Sequence, residues 1–574
     1  MRYHIDDSST TNPKTGKVYT RVLLRCSYRD ETGKACKETV ANLSDLPQES
    51  LAIFKRAIEL DRAGLLPVTP EAVLEGSKLE LQVGPSVGAL WALRQAAIDT
   101  GIWHALNSSE EGRRVLWMIF SPFLGAGSRL AACRLAAESQ AACALLGFTQ
   151  DFDENDLYTS LDWLAERQED LENQLFRHRQ KPQPQPTLRP MFLYDVTSSY
   201  FEGQHNELAA YGYNRDKKQG KKQLVIGLLC DGSGHPVSIE VFPGNTSDTK
   251  TFASQLDKAQ NRFGASKTAF IGDRGMIRSQ QEDELALAKL NFVGCLTKPE
   301  IETLLKKEVL QLGLFDTQLQ EVIDGDRRYI LRRNPVREKE IDKTRREREA
   351  KVMEVQTKLQ AKLDDKPKAQ PTAALNAMNN AIAKLKVPWL SASLNERKLQ
   401  LTTDTVMRRQ VSRLDGCYVL KTDLVQPQEA GESAADLHAA YKGLGEVERD
   451  FRSLKSDLDL RAIYLRKEER TRAHVFIRML SLILLRRIEE AWRPLNKTAP
   501  EALAALREIC EINITLSSPK DPKKTTTFTK IPKPRADQQK LLDLLQCRPL
   551  PTLLPPAKAV ASTKKRLEEE RKKS

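Results

Sequence analysis

Two aspartates stand at the ends of apolar runs that predict buried β-strands. Asp195 follows the run FLY at 192–194, and Asp273 follows the run AFIG at 269–272. An aspartate in this position leaves the sheet at its carboxyl edge, where a metal ion can reach it. A single strand-end aspartate is usually a turn former or a helix cap, but two at corresponding edges of the predicted strand order weaken that interpretation. The pair is therefore a candidate for carboxylate chemistry.

A third carboxylate, Glu448, lies midway in a seven-residue series with Tyr441 and Lys455, in a strongly helical segment. Helix members seven residues apart differ by only about 20° in azimuth, so all three are predicted to project from one helix face. Arg449 and Arg452 add basic character to the same segment, which favours a phosphate-bearing ligand. The ordinary alternative is a solvated, charged helix.

Three carboxylates that converge on one point repel each other unless cations lie between them. Mg²⁺ and Mn²⁺ accept ligand sets made of oxygens and keep positions open for phosphate and water. Two such ions about 3.5–4 Å apart activate the attacking oxygen and stabilise the leaving oxygen of a phosphoryl transfer. The seven histidines have no HExxH or paired spacing, and the sequence contains no GxxxxGK[ST] loop and no GxSxG elbow. The pattern favours metal-dependent phosphoryl transfer.

Charge points to the same class of partner. The 90 Lys and Arg residues outnumber the 77 Asp and Glu residues, which gives a net charge of +13. Such a surplus indicates a polyanion, nucleic acid before membrane, although a solvated lysine-rich surface has the same charge. The loop 211–222 holds five basic residues and one acidic residue. We expect its four lysines to contact DNA phosphates, with a solvated loop as the alternative; they are Lys217, Lys218, Lys221 and Lys222.

The elements predicted after residue 190 have the order β-β-β-α-β-α-β. The predicted strands are 191–201, 223–231, 235–242, 267–273 and 292–297, and the predicted helices are 251–263 and 279–290. This is the order of a ribonuclease-H-like α/β core, a mixed five-stranded sheet with helices. In that core, carboxylates at the ends of the first and fourth strands meet a third carboxylate on a later helix.

Changes in composition predict seven regions, with a proline-rich linker before the core and long charged helices in an insertion that interrupts it. The regions are 1–44, an N-terminal β-hairpin region; 45–180, a helical region; 181–190, the linker; 191–298, the first part of the core; 299–412, the insertion; 413–492, the second part of the core with the Glu448 helix; and 493–574, a basic, partly disordered region with one short helix at 535–547.

The cysteines and the apolar runs indicate the cellular compartment of the protein. The nine cysteines are odd in number and scattered, which is typical of reduced thiols in a cytosol. The longest apolar run in the C-terminal third, 479–485, is far shorter than the ~18 residues of a membrane span. The N-terminus has neither the basic start nor the apolar run of a signal peptide. We expect a cytoplasmic protein.

With these motifs in this order, the sequence resembles the DDE transposases of bacterial insertion sequences, in the group with a Tyr-x2-Arg-x3-Glu-x6-Lys signature. Here the segment is Tyr441-x2-Leu444-x3-Glu448-x6-Lys455, so a leucine occupies the arginine position. Either of the two nearby arginines could supply the phosphate contact. The segments LYDVTSSYFEG and FIGDRGM are similar to the family's two aspartate motifs, and the long interruption before the glutamate matches its inserted domain. The similarity runs from the N-terminal hairpin to about residue 490.

The resemblance implies that Asp195, Asp273 and Glu448 are catalytic and hold two Mg²⁺ or Mn²⁺ ions. It also implies that Tyr441 and Lys455 position the DNA backbone near the cleaved phosphate. Water would attack first at the transposon end and expose a 3′-hydroxyl, which would then attack target DNA without a covalent protein–DNA intermediate. The implied partners are double-stranded DNA, as terminal inverted repeats and target, and further copies in a homodimer or larger synaptic complex associated with the bacterial nucleoid.

Two other functions use the same residues. A catalytically inactive, DNA-binding relic would keep the fold and the charge; the intact carboxylates argue against it and Leu444 argues for it. A metal-dependent nuclease would cut DNA without joining it. The sequence leaves both alternatives open, and it does not identify the terminal repeat, the target preference or the helix that reads DNA bases.

The basic loop gives a first prediction. Alanine at all four lysines of 211–222 should weaken binding to end DNA and flatten its salt dependence, by about 0.9 in the log–log slope for each phosphate that the variant no longer neutralises. Electrophoretic mobility shifts over a range of salt concentrations measure both. An unchanged affinity and slope would remove this loop from the DNA interface.

Overall fold

A computed structural model describes residues 2–13, 16, 18–29, 33–44, 51, 55, 58, 79–138, 140–148, 151–180, 191–213, 215–216, 218–263, 268–274, 276–426, 432–517 and 525–547. The predicted linker at 181–190 lies outside the described residues, and so do Lys217, most of 45–78 and the C-terminal stretch 548–574.

The strands of the described chain form four sheets. In chain order they are β1 (Arg2–Thr11), β2 (Val18–Arg29), β3 (Ala35–Asn42), β4 (Leu79–Ser86), β5 (Met191–Tyr200), β6 (Gln223–Asp231), β7 (Pro236–Pro243), β8 (Ala269–Gly272), β9 (Asn291–Cys295), β10 (Gln320–Asp324), β11 (Arg327–Arg333), β12 (Leu390–Asn395), β13 (Lys398–Thr403), β14 (Cys417–Thr422), β15 (Cys510–Ser517) and β16 (Thr525–Lys530).

The described chain also contains α-helices. They are α1 (Gly88–Asp99), α2 (Ile102–Leu106), α3 (Glu110–Phe120), α4 (Arg129–Glu138), α5 (Gln140–Leu146), α6 (Glu154–Ala165), α7 (Gln168–Arg179), α8 (Phe252–Asp257), α9 (Ser279–Leu287), α10 (Lys298–Lys306), α11 (Pro335–Asp365), α12 (Pro371–Leu385), α13 (Thr405–Ser412), α14 (Ala434–Lys442), α15 (Leu444–Ser456), α16 (Glu468–Trp492), α17 (Ala499–Arg507) and α18 (Ala536–Leu544).

The chain divides into two compact units. The first consists of Met1–Gln95, Ala136–Gly147 and Ala491–Ala559, and the second of Ala96–Leu135, Phe148–Glu490 and Val560–Ser574. The first unit contains the antiparallel sheet β1-β2-β3 and the sheet β16-β15-β4. In the second sheet, β15 pairs antiparallel with both β4 and β16, so segments from the two ends of the chain share one sheet.

The second unit is built on one sheet with the strand order β10-β11-β14-β9-β8-β5-β6-β7. The strands β5, β6 and β7 are antiparallel neighbours, whereas β5, β8 and β9 run parallel to each other. The first five strands therefore have the order 3-2-1-4-5, which is consistent with the predicted ribonuclease-H-like core. The predicted strand, hairpin and helix segments of this core are confirmed.

The expected count of five strands is wrong for the sheet as a whole. The strands β14, β11 and β10 extend it to eight beyond β9, all in antiparallel pairing. A strand at a sheet edge leaves unpaired backbone donors and acceptors, and added strands satisfy them. Because β10 and β11 come from the segment predicted as an insertion, part of that segment completes the central sheet.

The two faces of β5 have different roles, because side chains alternate along a strand. Phe192, Tyr194 and Val196 belong to a buried apolar cluster that includes residues of α8 and α9. The intervening Leu193 and Asp195 point to the opposite face, where α15 packs on β5. One aspartate thus faces a helix that is distant in sequence.

The charged segment after β11 folds as a helical hairpin, as predicted. The helix α11 is 31 residues long and mostly exposed, and α12 packs against it. A small apolar core joins the hairpin to the ribbon β12–β13, with Val352, Met378 and Trp389 buried at its centre. Most charged side chains of α11 remain at the surface because this core is narrow, whereas Arg345 is buried and forms an ion pair of 2.7 Å with Asp415.

Two terminal segments differ from expectation. Leu79–Ser86 lies in the region predicted as helical but forms the strand β4, because its alternating pattern pairs with β15. The strands β15 and β16 lie in the C-terminal region, where only a short helix was predicted; that helix is present as α18. The polar composition of the C-terminal region gave no local signal for these strands, because pairing with distant segments stabilises them.

Two further findings concern the chain as a whole. All nine cysteines are free thiols. Among the described residues, no single helix is long and apolar enough to cross a membrane, and one pair bent by 91°, Glu110–Leu124 with Arg129–Glu138, reaches that length and composition only when the two are taken together.

The packing of β5 against β6 gives a stability prediction. A Cβ atom at Gly227 would lie 2.3 Å from the Oη atom of Tyr194, which is fully buried. Gly227→Ala should therefore lower the free energy of unfolding by about 1–3 kcal/mol, as urea unfolding followed by tryptophan fluorescence would measure. Gly313→Ala is the matched control, since a Cβ there meets nothing within 4 Å. Equal effects of the two changes would contradict this packing.

Candidate active site

The register between β5 and β8 brings two of the predicted catalytic residues together. Tyr194 pairs with Gly272 at the last parallel pair of these strands. Asp195 and Asp273 are the next residues, at the point where this parallel pairing stops. Asp273 follows the end of β8, as predicted, whereas the expectation that Asp195 ends its strand is wrong: β5 continues to Tyr200, and Asp195 pairs with Leu228 of β6. Adjacent strands lie about 5 Å apart, which places the two carboxylates side by side.

Glu448 reaches the same place from α15. Apolar residues at helical spacing bury one side of this helix, including Val447, Phe451 and Leu454. The Asp450 carboxylate, also buried, accepts a hydrogen bond of 2.6 Å from Arg486 of α16 and fastens α15 in place. Glu448 itself is exposed.

The three carboxylates line one open cavity with a volume of about 850 Å³. Charged side chains of both signs make up much of its wall. The acidic residues are Asp195, Asp248, Asp273 and Glu448, and the basic residues are Arg215, Arg274, Arg278, Arg452 and Lys455. A wall with carboxylates at one place and cations around them suits a phosphate ligand that must be held next to negative groups.

Burial and like charge act together on Asp195. Burial raises the pKa of this carboxyl to about 7, and the nearby charges of Asp273 and Glu448 act in the same direction. The backbone N–H of Val196, which donates to Asp195 Oδ1 over 2.8 Å, and the Arg215 guanidinium partly offset this rise in pKa. A second positive charge near these carboxylates would favour their ionised forms.

The donor chemistry of this cavity fits a hard divalent cation. The candidate ligands are carboxylate oxygens, which Mg²⁺ and Mn²⁺ prefer, and the repulsion that raises the pKa of Asp195 would be relieved by a cation between the side chains. Within the part of the chain that the structure describes, no three His, Cys, Asp or Glu side chains are close enough together to hold a metal ion by themselves. Oxygens from phosphate and water would complete the ligand set.

The expectation that Tyr441, Glu448 and Lys455 share one helix is wrong. Gly443 separates α14, which carries the tyrosine, from α15, which carries the other two residues. A Cβ at this glycine would lie 2.9 Å from the backbone oxygen of Ala440 and 3.0 Å from Leu193 Cδ1 of β5, so a larger residue there would have to displace its neighbours. The three side chains nevertheless stay in one region of the second unit.

Tyr441 and Lys455 have well-defined carboxylate partners. The Tyr441 hydroxyl donates to Asp273 Oδ1 over 3.4 Å. Burial raises the pKa of this tyrosine, so the hydroxyl remains protonated and can donate. Lys455 lines the cavity, and its Nζ lies 2.9 Å from Asp216 Oδ1.

The substitution in the signature has a structural counterpart. Leu444, at the family's arginine position, is buried in α15. Of the two arginines that could replace its phosphate contact, Arg452 is exposed and lines the cavity. Arg449 does not line it and forms an ion pair of 2.5 Å with Glu446. Arg452 is the better candidate.

The three loop lysines that the structure describes lie apart from the cavity wall. Lys218 stacks over the ring of Tyr200 at 5.7 Å, and Lys221 forms an ion pair of 2.6 Å with Glu202. Lys222 is half-buried at the start of β6. None of these three lysines lines the cavity.

Sequence reasoning missed three arginines of the cavity wall, Arg215, Arg274 and Arg278. Arg274 directly follows Asp273, so the motif FIGDRGM contained a signal for it. Arg215 lies inside the basic loop, but only the lysines of that loop were predicted to contact phosphates. Its Nη2 lies 2.6 Å from Asp248 Oδ2, a contact between segments distant in sequence that composition does not reveal.

The fold and this carboxylate-lined cavity define a DDE-type phosphoryl-transfer enzyme, and comparison with known families agrees. A family model described as "Transposase DDE domain" matches residues 186–484, more than half of the 574 residues, and the chain belongs to this family. A second model, "IS1634 family transposase, N-terminal domain", matches residues 8–63. The protein is a DNA transposase of the bacterial insertion-sequence type, and members of its family use divalent metal ions.

Other comparisons add little. A solved structure, the cryo-EM structure of the piggyBac transposase synaptic complex with hairpin DNA, matches at 10% identity, with 74% of this chain and 82% of that chain covered and a TM-score of 0.34. No curated protein matches the sequence.

The raised pKa of Asp195 gives a pH prediction. Between the ordinary value of 3.8 and about 7, the folded protein keeps a proton that the unfolded chain releases. The free energy of unfolding therefore falls as pH rises through this range, by up to about 1.4 kcal/mol per pH unit. Asp195→Asn removes this dependence, so in metal-free protein the variant should gain stability relative to wild type as pH rises. Urea unfolding of both proteins measures the difference, and a constant difference over this range would contradict the raised pKa.

Proposed function

We propose that Asp195, Asp273 and Glu448 form the catalytic centre at which this transposase cuts the ends of its insertion sequence and joins them to target DNA. The observation that supports this most directly is the convergence of the three carboxylates on one cavity, from the middle of β5, from the residue that follows β8 and from α15. A ribonuclease-H-like core accounts for that arrangement, because it brings the first strand, the fourth strand and a later helix together.

The proposed cofactor is a pair of Mg²⁺ or Mn²⁺ ions. The three carboxylates would be ligands of both ions, and oxygens of the DNA phosphate and of water would supply the remaining ligands. When bound, the ions supply an activated oxygen nucleophile and stabilise the leaving oxygen.

The chain's own residues then have separate tasks. The cations of the cavity wall, among them Arg215, Arg274 and Arg452, bind the phosphate that is to be cut and orient it toward the carboxylates. Tyr441 holds Asp273 through its hydroxyl and fixes the direction of that carboxylate. Lys455 supports the DNA backbone from the last turn of α15.

The proposed reaction has two phosphoryl transfers. A water oxygen attacks the phosphorus at the transposon end, the P–O3′ bond breaks, and the end is released as a 3′-hydroxyl while the phosphate stays on the flanking strand. That 3′-oxygen then attacks a target phosphorus, and the target's own 3′-oxygen leaves. Each step forms one P–O bond and breaks one, so neither requires a nucleoside triphosphate or a covalent protein–DNA intermediate.

The proposed partners follow from the same reaction. Joining two ends to one target requires both ends to be held together, which a homodimer or larger synaptic complex provides. The DNA partners are the terminal inverted repeats and the target duplex. We assign DNA recognition to the helical region 45–180 and an auxiliary phosphate contact to the loop 211–222.

The function is tested with purified protein, duplexes that carry the element's terminal repeats, a target plasmid and Mg²⁺. Cut ends and joined products are expected. Asp195→Asn, Asp273→Asn and Glu448→Gln should each lower both activities by about two to three orders of magnitude or more, because each removes a group that acts on the transition state.

Glu446→Gln is the matched control, since Glu446 lies on the same helix and pairs with Arg449 outside the cavity. It should retain near wild-type activity. Cutting without joining would favour the nuclease, and end binding without cutting would favour the inactive relic. Full activity in any of the three carboxylate variants would exclude this catalytic centre.

A further inference from the structure

We infer that Asp216 is a positioning residue that holds Lys455 on the wall of the active-site cavity, apart from the catalytic carboxylates and ready to meet a DNA phosphate. This inference rests on the proposed function. Asp216 is the one acidic residue of the loop 211–222, in which the basic residues attracted the DNA-binding prediction.

Asp216 forms a short, almost completely buried contact with Lys455. Its Oδ1 atom lies 2.9 Å from Lys455 Nζ and 3.4 Å from the Nη1 atom of Arg461. The side chain of Asp216 is 4% exposed and that of Lys455 is 11% exposed. A pair this buried has a defined geometry, unlike a lysine that moves freely in solvent.

The loop that carries Asp216 is attached to the strand that carries Asp195. The Oδ2 atom of Asp216 accepts a hydrogen bond of 3.3 Å from the backbone N–H of Tyr200. The backbone N–H of the preceding Arg215 donates to Ser198 Oγ over 3.1 Å. Tyr200 and Ser198 both belong to β5. Asp216 therefore has a fixed position relative to Asp195, the proposed catalytic aspartate on the same strand.

The group formed by Asp216 and its two cationic partners still attracts phosphate, because its net charge is positive. Lys455, Arg461 and Asp216 together carry one net positive charge. A DNA phosphate can therefore approach Lys455 while Asp216 continues to orient the ammonium group, in the way that supporting groups orient residues that contact a substrate.

Without Asp216, Lys455 would have other carboxylates within reach. Glu448 lies seven residues earlier on α15, about 10 Å along the axis and on nearly the same face. The lysine and glutamate side chains can extend toward each other across that gap. A lysine paired with Glu448 would neutralise a carboxylate that the proposed centre needs. Asp216 keeps the two groups apart.

A merely structural role for Asp216 is the competing explanation, and Glu202 offers a matched control. Glu202 also ties the loop to the end of β5, through its 2.6 Å ion pair with Lys221, but it does not line the cavity or contact Lys455. Glu202→Gln therefore removes a loop anchor without removing a partner of the lysine.

The first experiment is a double-mutant cycle with Asp216→Asn and Lys455→Met, read as cleavage of terminal-repeat DNA. Asp216→Asn should lower cleavage about tenfold in the wild-type background and less than about twofold in the Lys455→Met background, because its effect passes through the lysine. Asp216→Glu should restore part of the activity, and Glu202→Gln should change cleavage less than about twofold in either background. Equal decreases from Asp216→Asn in both backgrounds would overturn the inference.

The second experiment does not depend on activity. Competitive acetylation with acetic anhydride over a range of pH, read by mass spectrometry, reports the pKa of Lys455. Burial lowers that pKa and the contact with Asp216 raises it, so Asp216→Asn should lower the pH of half-labelling by about 1 unit. An unchanged labelling profile would overturn the inference. A wild-type protein that cuts no terminal-repeat DNA would contradict the proposed function, and the labelling result would still decide whether Asp216 holds the lysine.

Discussion

The parallel pairing of β5 with β8 is the constraint on which the site depends. It ends at Tyr194 and Gly272, and the next residue of each strand is an aspartate. Two carboxylates are thereby fixed side by side where the parallel pairing stops, and burial, together with the nearby charge of Asp273, raises the pKa of Asp195 to about 7. A third carboxylate arrives on α15, which its apolar side and the buried Asp450–Arg486 pair hold against the sheet. The fold keeps together groups that would separate in a free chain.

Two cations of the cavity wall are paired with acidic residues other than Asp195, Asp273 and Glu448. Arg215 is paired with Asp248, and Lys455 is paired with Asp216, so two of the cavity's cations have acidic partners of their own. The proposed catalytic carboxylates are left available for metal ions. The same cations remain at the cavity wall, where a phosphate can meet them. This separation of paired and available carboxylates is a physical account of how one cavity can attract both metal ions and DNA.

Sequence patterns predicted the parts of this structure that depend on local signals. The apolar runs, among them those before Asp195 and Asp273, predicted the first five strands in the correct order, and the composition of the charged segment after β11 predicted the helical hairpin. Long-range pairing was not visible: the extension of the sheet by β14, β11 and β10, the strand β4 and the pairs made by Asp216 and Asp248 join residues far apart in sequence. The break between α14 and α15 at Gly443 was not predicted, because a seven-residue spacing contains no information on how closely a helix packs on a sheet.

Metal binding at the three carboxylates is the central claim, and direct observation of the metal tests it most directly. Crystals of the protein with terminal-repeat DNA, grown with Mn²⁺ and measured near the manganese absorption edge, would locate each ion by anomalous scattering. We expect two peaks in contact with the carboxylates of Asp195, Asp273 and Glu448 and with a DNA phosphate. Bound DNA with manganese peaks elsewhere, or with none at these three side chains, would contradict it.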